Sequence, residues 1–177
     1  GTGSLTCKLA AEAGGLLGVE IDRDFFELAR QNTLMEQNVL LVNADILESK
    51  HRINSKVLET LGKMLADSPA DRLKLVSNLP YVVATPVICN LLLTDLPFER
   101  MVVTIQWELA ERLAARPGAK DYGALTVLVQ SLAEVEIVRR LPPHAFWPRP
   151  KVDSGLVLIR PSAERRARHA DLSGFHA

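Results

Sequence analysis

Ser77-Asn78-Leu79-Pro80-Tyr81 follows the short apolar run Leu73-Lys74-Leu75-Val76 and precedes a helix-like segment from Thr85. An amide, a rigid proline turn and an aromatic at the end of a strand suit a flat heteroaromatic group that carries an amine. The Asn oxygen and a nearby backbone carbonyl can accept hydrogen bonds from an exocyclic NH2, and the Tyr ring can stack on the ring plane. The same residues equally fit a strand that closes in a Pro turn with a Tyr lid over the core, because Pro and Asn commonly punctuate strand ends. The neighbouring elements decide the fold in which this turn sits.

Upstream, Gly1-Thr2-Gly3-Ser4-Leu5-Thr6 is a glycine turn leading into a helix from Leu5 to Ala13. Such a turn normally follows a central strand of a doubly wound sheet, so a strand is expected before Gly1. Leu16 to Ile21 reads as a strand. Asp22 reads as the N-cap of a helix through about Glu36, with Phe25, Phe26, Ala29 and Leu34 near one face. Val39 to Val42 is the next strand, and residues 55–66 have the apolar spacing of an amphipathic helix. Downstream, Thr85 to Leu93 is expected to be helical and Met101 to Ile105 a strand. Glu108 to Ala115 and Leu125 to Ala133 are expected to be helices. Val135 to Leu141 and Val152 to Ile159 form a terminal strand pair around the Pro-rich stretch 142–150. This alternation predicts an α/β fold, Rossmann-like, with a mostly parallel sheet and an antiparallel terminal pair.

The chain has 177 residues, enough for one well-buried core. Its 47% hydrophobic and 24% charged content are those of an ordinary globular domain. No apolar run approaches the ~20 residues of a membrane span, and no signal peptide is visible. Cys7 and Cys89 each lie in an apolar segment, as reduced thiols of a cytoplasmic protein would. His51, His144, His169 and His176 show no ligand spacing, so no metal is expected. Formal net charge is zero, yet residues 137–170 hold eight Lys or Arg against Asp153 and Glu164. A basic tail on an acidic body is the asymmetry of a protein with one phosphate-facing side. A solvated surface helix is the alternative.

Four elements fall at C-terminal strand ends, where open α/β sheets bind ligands. Gly1 and Gly3 allow close backbone approach at a helix start. Glu20, with Ile21 after it, closes the next strand, where a carboxylate can take both hydroxyls of a ribose. Asp45, followed by Ile46, can accept a hydrogen bond from an adenine amine, or can simply cap a turn. Asn78 is the fourth. Together they point to an adenosine-containing cofactor. NAD fits poorly, because the full G-x-G-x-x-G is absent and hydride transfer has no use for the Asn-Leu-Pro-Tyr turn.

Gly-Thr-Gly-Ser-Leu-Thr, Val-Glu-Ile-Asp, Asn-Ala-Asp-Ile-Leu and Ser-Asn-Leu-Pro-Tyr stand in the order found in S-adenosylmethionine-dependent adenine-N6 methyltransferases. Further on come Glu111-Arg112-Leu113, the stretch from Arg116 to Gly123, and the block from Pro142 to Ser154 that contains His144-Ala145-Phe146-Trp147-Pro148 and Lys151-Val152-Asp153-Ser154. Over residues 1–161 the chain closely resembles the small-subunit (16S) ribosomal RNA adenine N6-dimethyltransferase family (KsgA-like). The resemblance implies S-adenosyl-L-methionine as cofactor, held by Gly1, Gly3, Glu20, Ile21, Asp45, Ile46 and Asn78. It implies Asn78, Leu79, Pro80, Tyr81 and Phe146 as the catalytic set. The Asn78 oxygen and Leu79 carbonyl would hold the target N6 amine, Tyr81 would stack on the base, and Phe146 would cover its other face or anchor the Pro-rich loop.

The partner implied is ribosomal RNA in an immature small subunit, met by a monomeric cytoplasmic enzyme. Arg139, Arg140, Arg149 and Lys151 are the candidate RNA contacts. Residues 1–161 would form the catalytic domain, lacking its first strand, and residues 162–177 the start of a helical region beginning at Ala163–Ala170. Residues 49–71 exceed the family's usual length between strands and read as a surface helix, with an extra RNA contact as the alternative. Three competing functions stay open: a large-subunit rRNA methyltransferase of the erythromycin-resistance type, a non-catalytic RNA-binding assembly factor, and a nicotinamide-dependent oxidoreductase.

Overall fold

Strand and helix alternate along the chain as hydrophobic period alternates, and a computed structural model describes residues 1–67 and 72–168. It divides into two compact units, Gly1–Asp71 and Arg72–Ala177.

The first unit begins with α1 (Ser4–Ala10), β1 (Leu16–Glu20), α2 (Arg23–Asn32) and β2 (Val39–Asn43). β1 and β2 pair in parallel, from Leu16 opposite Val39 to Glu20 opposite Asn43. Gly3 has a positive φ of 85°, and a Cβ there would lie 3.1 Å from the Ala29 backbone. Glycine at this position therefore serves both the left-handed turn and the close approach of α1 to α2. Asp22 caps α2, its carboxylate accepting from the Phe25 N–H at 2.9 Å.

α2 stops at Asn32, four residues before its expected end. The Thr33 hydroxyl bonds back to the Ala29 carbonyl at 2.8 Å, and the Asn32 amide reaches across to the Thr2 carbonyl. Leu34, expected on the apolar face, lies past the helix and is largely exposed. A short antiparallel hairpin follows, β3 (Leu47–Ser49) with β4 (Arg52–Ile53), which the sequence pattern did not announce. The helix expected over 55–66 is α3 (Ser55–Asp67), anchored by the buried Val57. The last residues of the long segment, 68–71, lie outside the described residues.

The second unit is built on β5 (Leu73–Asn78), β6 (Phe98–Gln106), β7 (Ala133–Leu141) and β8 (Ser154–Pro161), in the order β5-β6-β8-β7. β5 and β6 run parallel, and β8 is antiparallel to both β6 and β7. The terminal pair is thus the antiparallel finish read from the sequence, with β8 inserted between β6 and β7. Alternate residues of β6 and β8 (Met101, Val103, Ile105, Val157 and Ile159) are fully buried. Each contributes about 1.5–3 kcal/mol of burial.

α4 (Tyr81–Leu93) supplies Ala84, Val87 and Ile88 to this core. It starts four residues earlier than the sequence reading placed it. Pro80 acts as N-cap with φ −56° and ψ 133°, and its carbonyl accepts from Val83 and Ala84. Pro86 then falls inside the helix, where proline is disfavoured, and this hid the true start. α5 (Trp107–Leu113) and α6 (Ala124–Leu132) complete the packing. Gly155 matters here, because a Cβ on it would come within 2.7 Å of the Ala110 Cβ on α5. α7 (Ala163–Ala167) follows β8, where a helical start is expected over Ala163–Ala170, and residues 169–177 lie outside the described residues.

Candidate active site

In the first unit the sequence-predicted residues gather at the carboxyl ends of β1 and β2. Glu20 ends β1. One carboxylate oxygen accepts from the Asp22 N–H at 2.8 Å, and the other lies against the backbone nitrogen of Gly1. Asn43, at the end of β2, donates to the Glu20 carbonyl at 2.8 Å and the Ile21 carbonyl at 3.2 Å, which locks the two strand ends together. Ile21 is 64% exposed beside this carboxylate, an apolar surface that the core does not use.

Asp45 and Ile46 follow β2. The Asp45 carboxylate accepts from the Leu47 N–H at 2.9 Å, so it does cap the turn. A carboxylate oxygen engaged this way still leaves acceptor capacity on its partner. Asn54 holds the Asp45 carbonyl through its side chain and the Ile46 carbonyl through its backbone N–H.

In the second unit Asn78 is the last residue of β5 and is exposed. Among the described residues its side-chain amide has no hydrogen-bond partner. Leu79 is buried, and its N–H donates to the Thr104 carbonyl of β6 at 3.1 Å. That bond pins the turn to the sheet. Pro80 is exposed and Tyr81 is the half-buried first residue of α4. The Tyr81 hydroxyl lies 2.8 Å from the Ser154 hydroxyl at the start of β8. Phe146 is half-buried just after the 3-10 turn Pro143–Ala145, and its N–H donates to the Pro143 carbonyl.

The cations are less free than their number implied. Arg140 bonds the Asp153 carboxylate at 2.7 Å and lies over the Trp107 ring, 4.6 Å from its centroid. Arg165 donates to the Gln130 and Ala133 carbonyls, and Arg166 to the Leu92 and Leu93 carbonyls. Both are helix C-caps. Arg160 and Arg168 pair with Glu136 and Glu164. Arg160, Arg165, Arg166 and Arg168 are thus engaged within the fold or in surface ion pairs. Arg139, Arg149 and Lys151 are exposed, with no ion pair or side-chain hydrogen bond among the described residues.

Sequence reasoning passed over two features. Trp147 is 96% exposed beside Arg149, and only coordinates reveal that exposure. Ser154 was noticed as part of a family block but not as the partner of Tyr81. A shallow, charged depression of about 730 Å³ between α5 and α6 contains none of the predicted site residues.

The profile of ribosomal RNA adenine dimethylases matches residues 1–177. The chain is 41% identical over 164 residues to the ribosomal RNA small subunit methyltransferase A of Pediococcus pentosaceus, covering 92% of this chain and 52% of that protein. It is 38% identical to the protein of the same name from Halothermothrix orenii, covering 93% and 52%. Among solved structures, a dimethyladenosine transferase from Plasmodium falciparum superposes with a TM-score of 0.76 at 25% identity, over 94% of this chain and 55% of that one. The 23S rRNA methyltransferase ErmE does so with a TM-score of 0.71 at 26% identity, over 92% and 59%. The chain spans about half the length of the curated relatives it matches.

Proposed function

Because the chain belongs to the ribosomal RNA adenine dimethylase family, we propose that it dimethylates the N6 amine of adenines in small-subunit ribosomal RNA, with S-adenosyl-L-methionine as methyl donor. The observation that carries the reading is the Asn78 amide at the end of β5, unpartnered among the described residues and three residues before Tyr81 opens α4.

The residues of the first unit fit the cofactor's chemistry. Glu20 retains lone pairs for ribose hydroxyls beyond its bond from the Asp22 N–H. Ile21 offers an apolar face to the adenine ring, and Asp45 keeps an oxygen for its amine. When bound, the cofactor supplies an electrophilic methyl group. Gly1, Gly3 and Ile46 complete the assigned set.

The residues of the second unit are assigned to the target base. An adenine N6 is a poor nucleophile because its lone pair is delocalised into the ring. Asn78 and the Leu79 carbonyl accept its two hydrogens and fix the amine's orientation, so positioning rather than a strong base lowers the barrier. Pro80 sets the turn, Tyr81 stacks on the base, and Phe146 covers it. The base must leave its stack to reach these groups. Exposed Arg139, Arg149 and Lys151 meet phosphates, and Arg140 lends charge while tied to Asp153. Trp147 adds a surface on which a neighbouring base can stack. Residues 1–161 act as one catalytic domain, in a cytoplasmic monomer working on the immature small subunit. No helix of the described residues is long and apolar enough to cross a membrane.

Asn78→Ala tests the assignment. Methyl transfer is expected to fall by about 10²-fold or more, with S-adenosylmethionine affinity changed far less. Transfer within a fewfold of wild type, at unchanged RNA binding, would remove Asn78 from the catalytic set.

A further inference from the structure

Ser154 closes the Lys151-Val152-Asp153-Ser154 block, in which Lys151 and Asp153 have roles assigned above and the Ser154 side chain has none. It is 1% exposed. Its backbone is paired on both sides, with Gln106 of β6 and Leu141 of β7. The preceding residue is clamped as well. The Asp153 carbonyl accepts from the Trp107 N–H at 3.0 Å, and its carboxylate holds Arg140. The Ser154 hydroxyl is thus a fixed point at the end of the sheet.

The Tyr81 hydroxyl meets that point at 2.8 Å. Tyr81 makes no other side-chain hydrogen bond among the described residues. Packing alone does not call for the two hydroxyls, since Ala beside Phe would leave no polar atom at this half-buried contact to satisfy. The pair instead removes the freedom of a ring whose backbone is already set by Pro80. We infer that Ser154 is a positioning residue for methyl transfer, holding the Tyr81 ring in the orientation that receives the target base.

The inference rests on the reading of Tyr81 as the stacking residue. Wild type is assayed first with S-adenosylmethionine and immature small-subunit particles. Absence of any methyl transfer there would defeat the underlying reading, and the inference with it. Given an active wild type, Ser154→Ala and Tyr81→Phe are each expected to lower kcat by about 3- to 10-fold, with little change in the KM for either substrate. The double variant should be no slower than the slower single one, because each removes the same bond. Ser154→Thr should recover part of the loss. If Ser154→Ala does not fold, Tyr81→Phe still carries the test, since it removes the bond and leaves Ser154 in place. An unchanged kcat in Tyr81→Phe, or single effects that multiply in the double variant, would overturn the inference while leaving the methyltransferase reading intact.

Discussion

At the scale of residues, the chain separates groups held for structure from groups left free. Asn43 spends its amide on the Glu20 carbonyl at the end of β1 and Asn54 on the Asp45 carbonyl after β2, whereas Asn78, at the end of β5, has no side-chain partner among the described residues. Cys89 shows the structural extreme. Burial in α4 pushes its thiol up to about 11 from an ordinary value of 9.0. The folded state therefore keeps a proton that the unfolded chain gives up between those values. The contribution is fully present below pH 9 and is lost as pH rises through 11, by about 2–3 kcal/mol. Urea unfolding at pH 8 and pH 11 should show this loss in wild type and a correspondingly smaller one in Cys89→Ala. Equal pH dependence in the two proteins would mean that the thiol titrates normally in the fold.

At the scale of elements, Arg166 ties α7 to the end of α4. It donates to the Leu92 carbonyl at 2.8 Å and the Leu93 carbonyl at 3.3 Å, and pairs with Asp95. Asp95 is fully exposed, so the ion pair adds little and the capping bonds carry the effect. Arg166→Ala is expected to destabilise the protein by about 1–2 kcal/mol in chemical denaturation; a change below about 0.5 kcal/mol would show that water replaces the cap at no cost. The sequence made the strands and most helices legible because their apolar periods are strong. It did not reveal the role of Arg166, since a charge count cannot separate a cation in solvent from one bonded to carbonyls. The end of α2 and the start of α4 were missed for a related reason. Thr33 folding back onto Ala29, and Pro80 serving as a cap, are backbone events with only weak composition signals. The β3–β4 hairpin pairs very few residues, too few to show a period of two.

At the scale of the whole molecule, the formal charge of zero hides a divided surface. Among the described residues, Arg139, Arg149 and Lys151 flank or lie in the Pro-rich stretch without an ion pair, and the same stretch carries the exposed Trp147. The order of the site residues along the chain was legible from the sequence, whereas the pairing of Tyr81 with Ser154 needed a contact across 73 residues. The chain is similar in sequence to relatives named for the small subunit and in fold to a structure named for 23S rRNA, so the choice of ribosomal RNA is what an experiment must decide. The deciding measurement is S-adenosylmethionine-dependent transfer to immature small-subunit particles and, separately, to protein-free large-subunit RNA, with nucleoside digestion and mass spectrometry of the product. The small-subunit particles should yield N6,N6-dimethyladenosine and the large-subunit RNA little. Dimethyladenosine from the large-subunit RNA alone would contradict the small-subunit assignment.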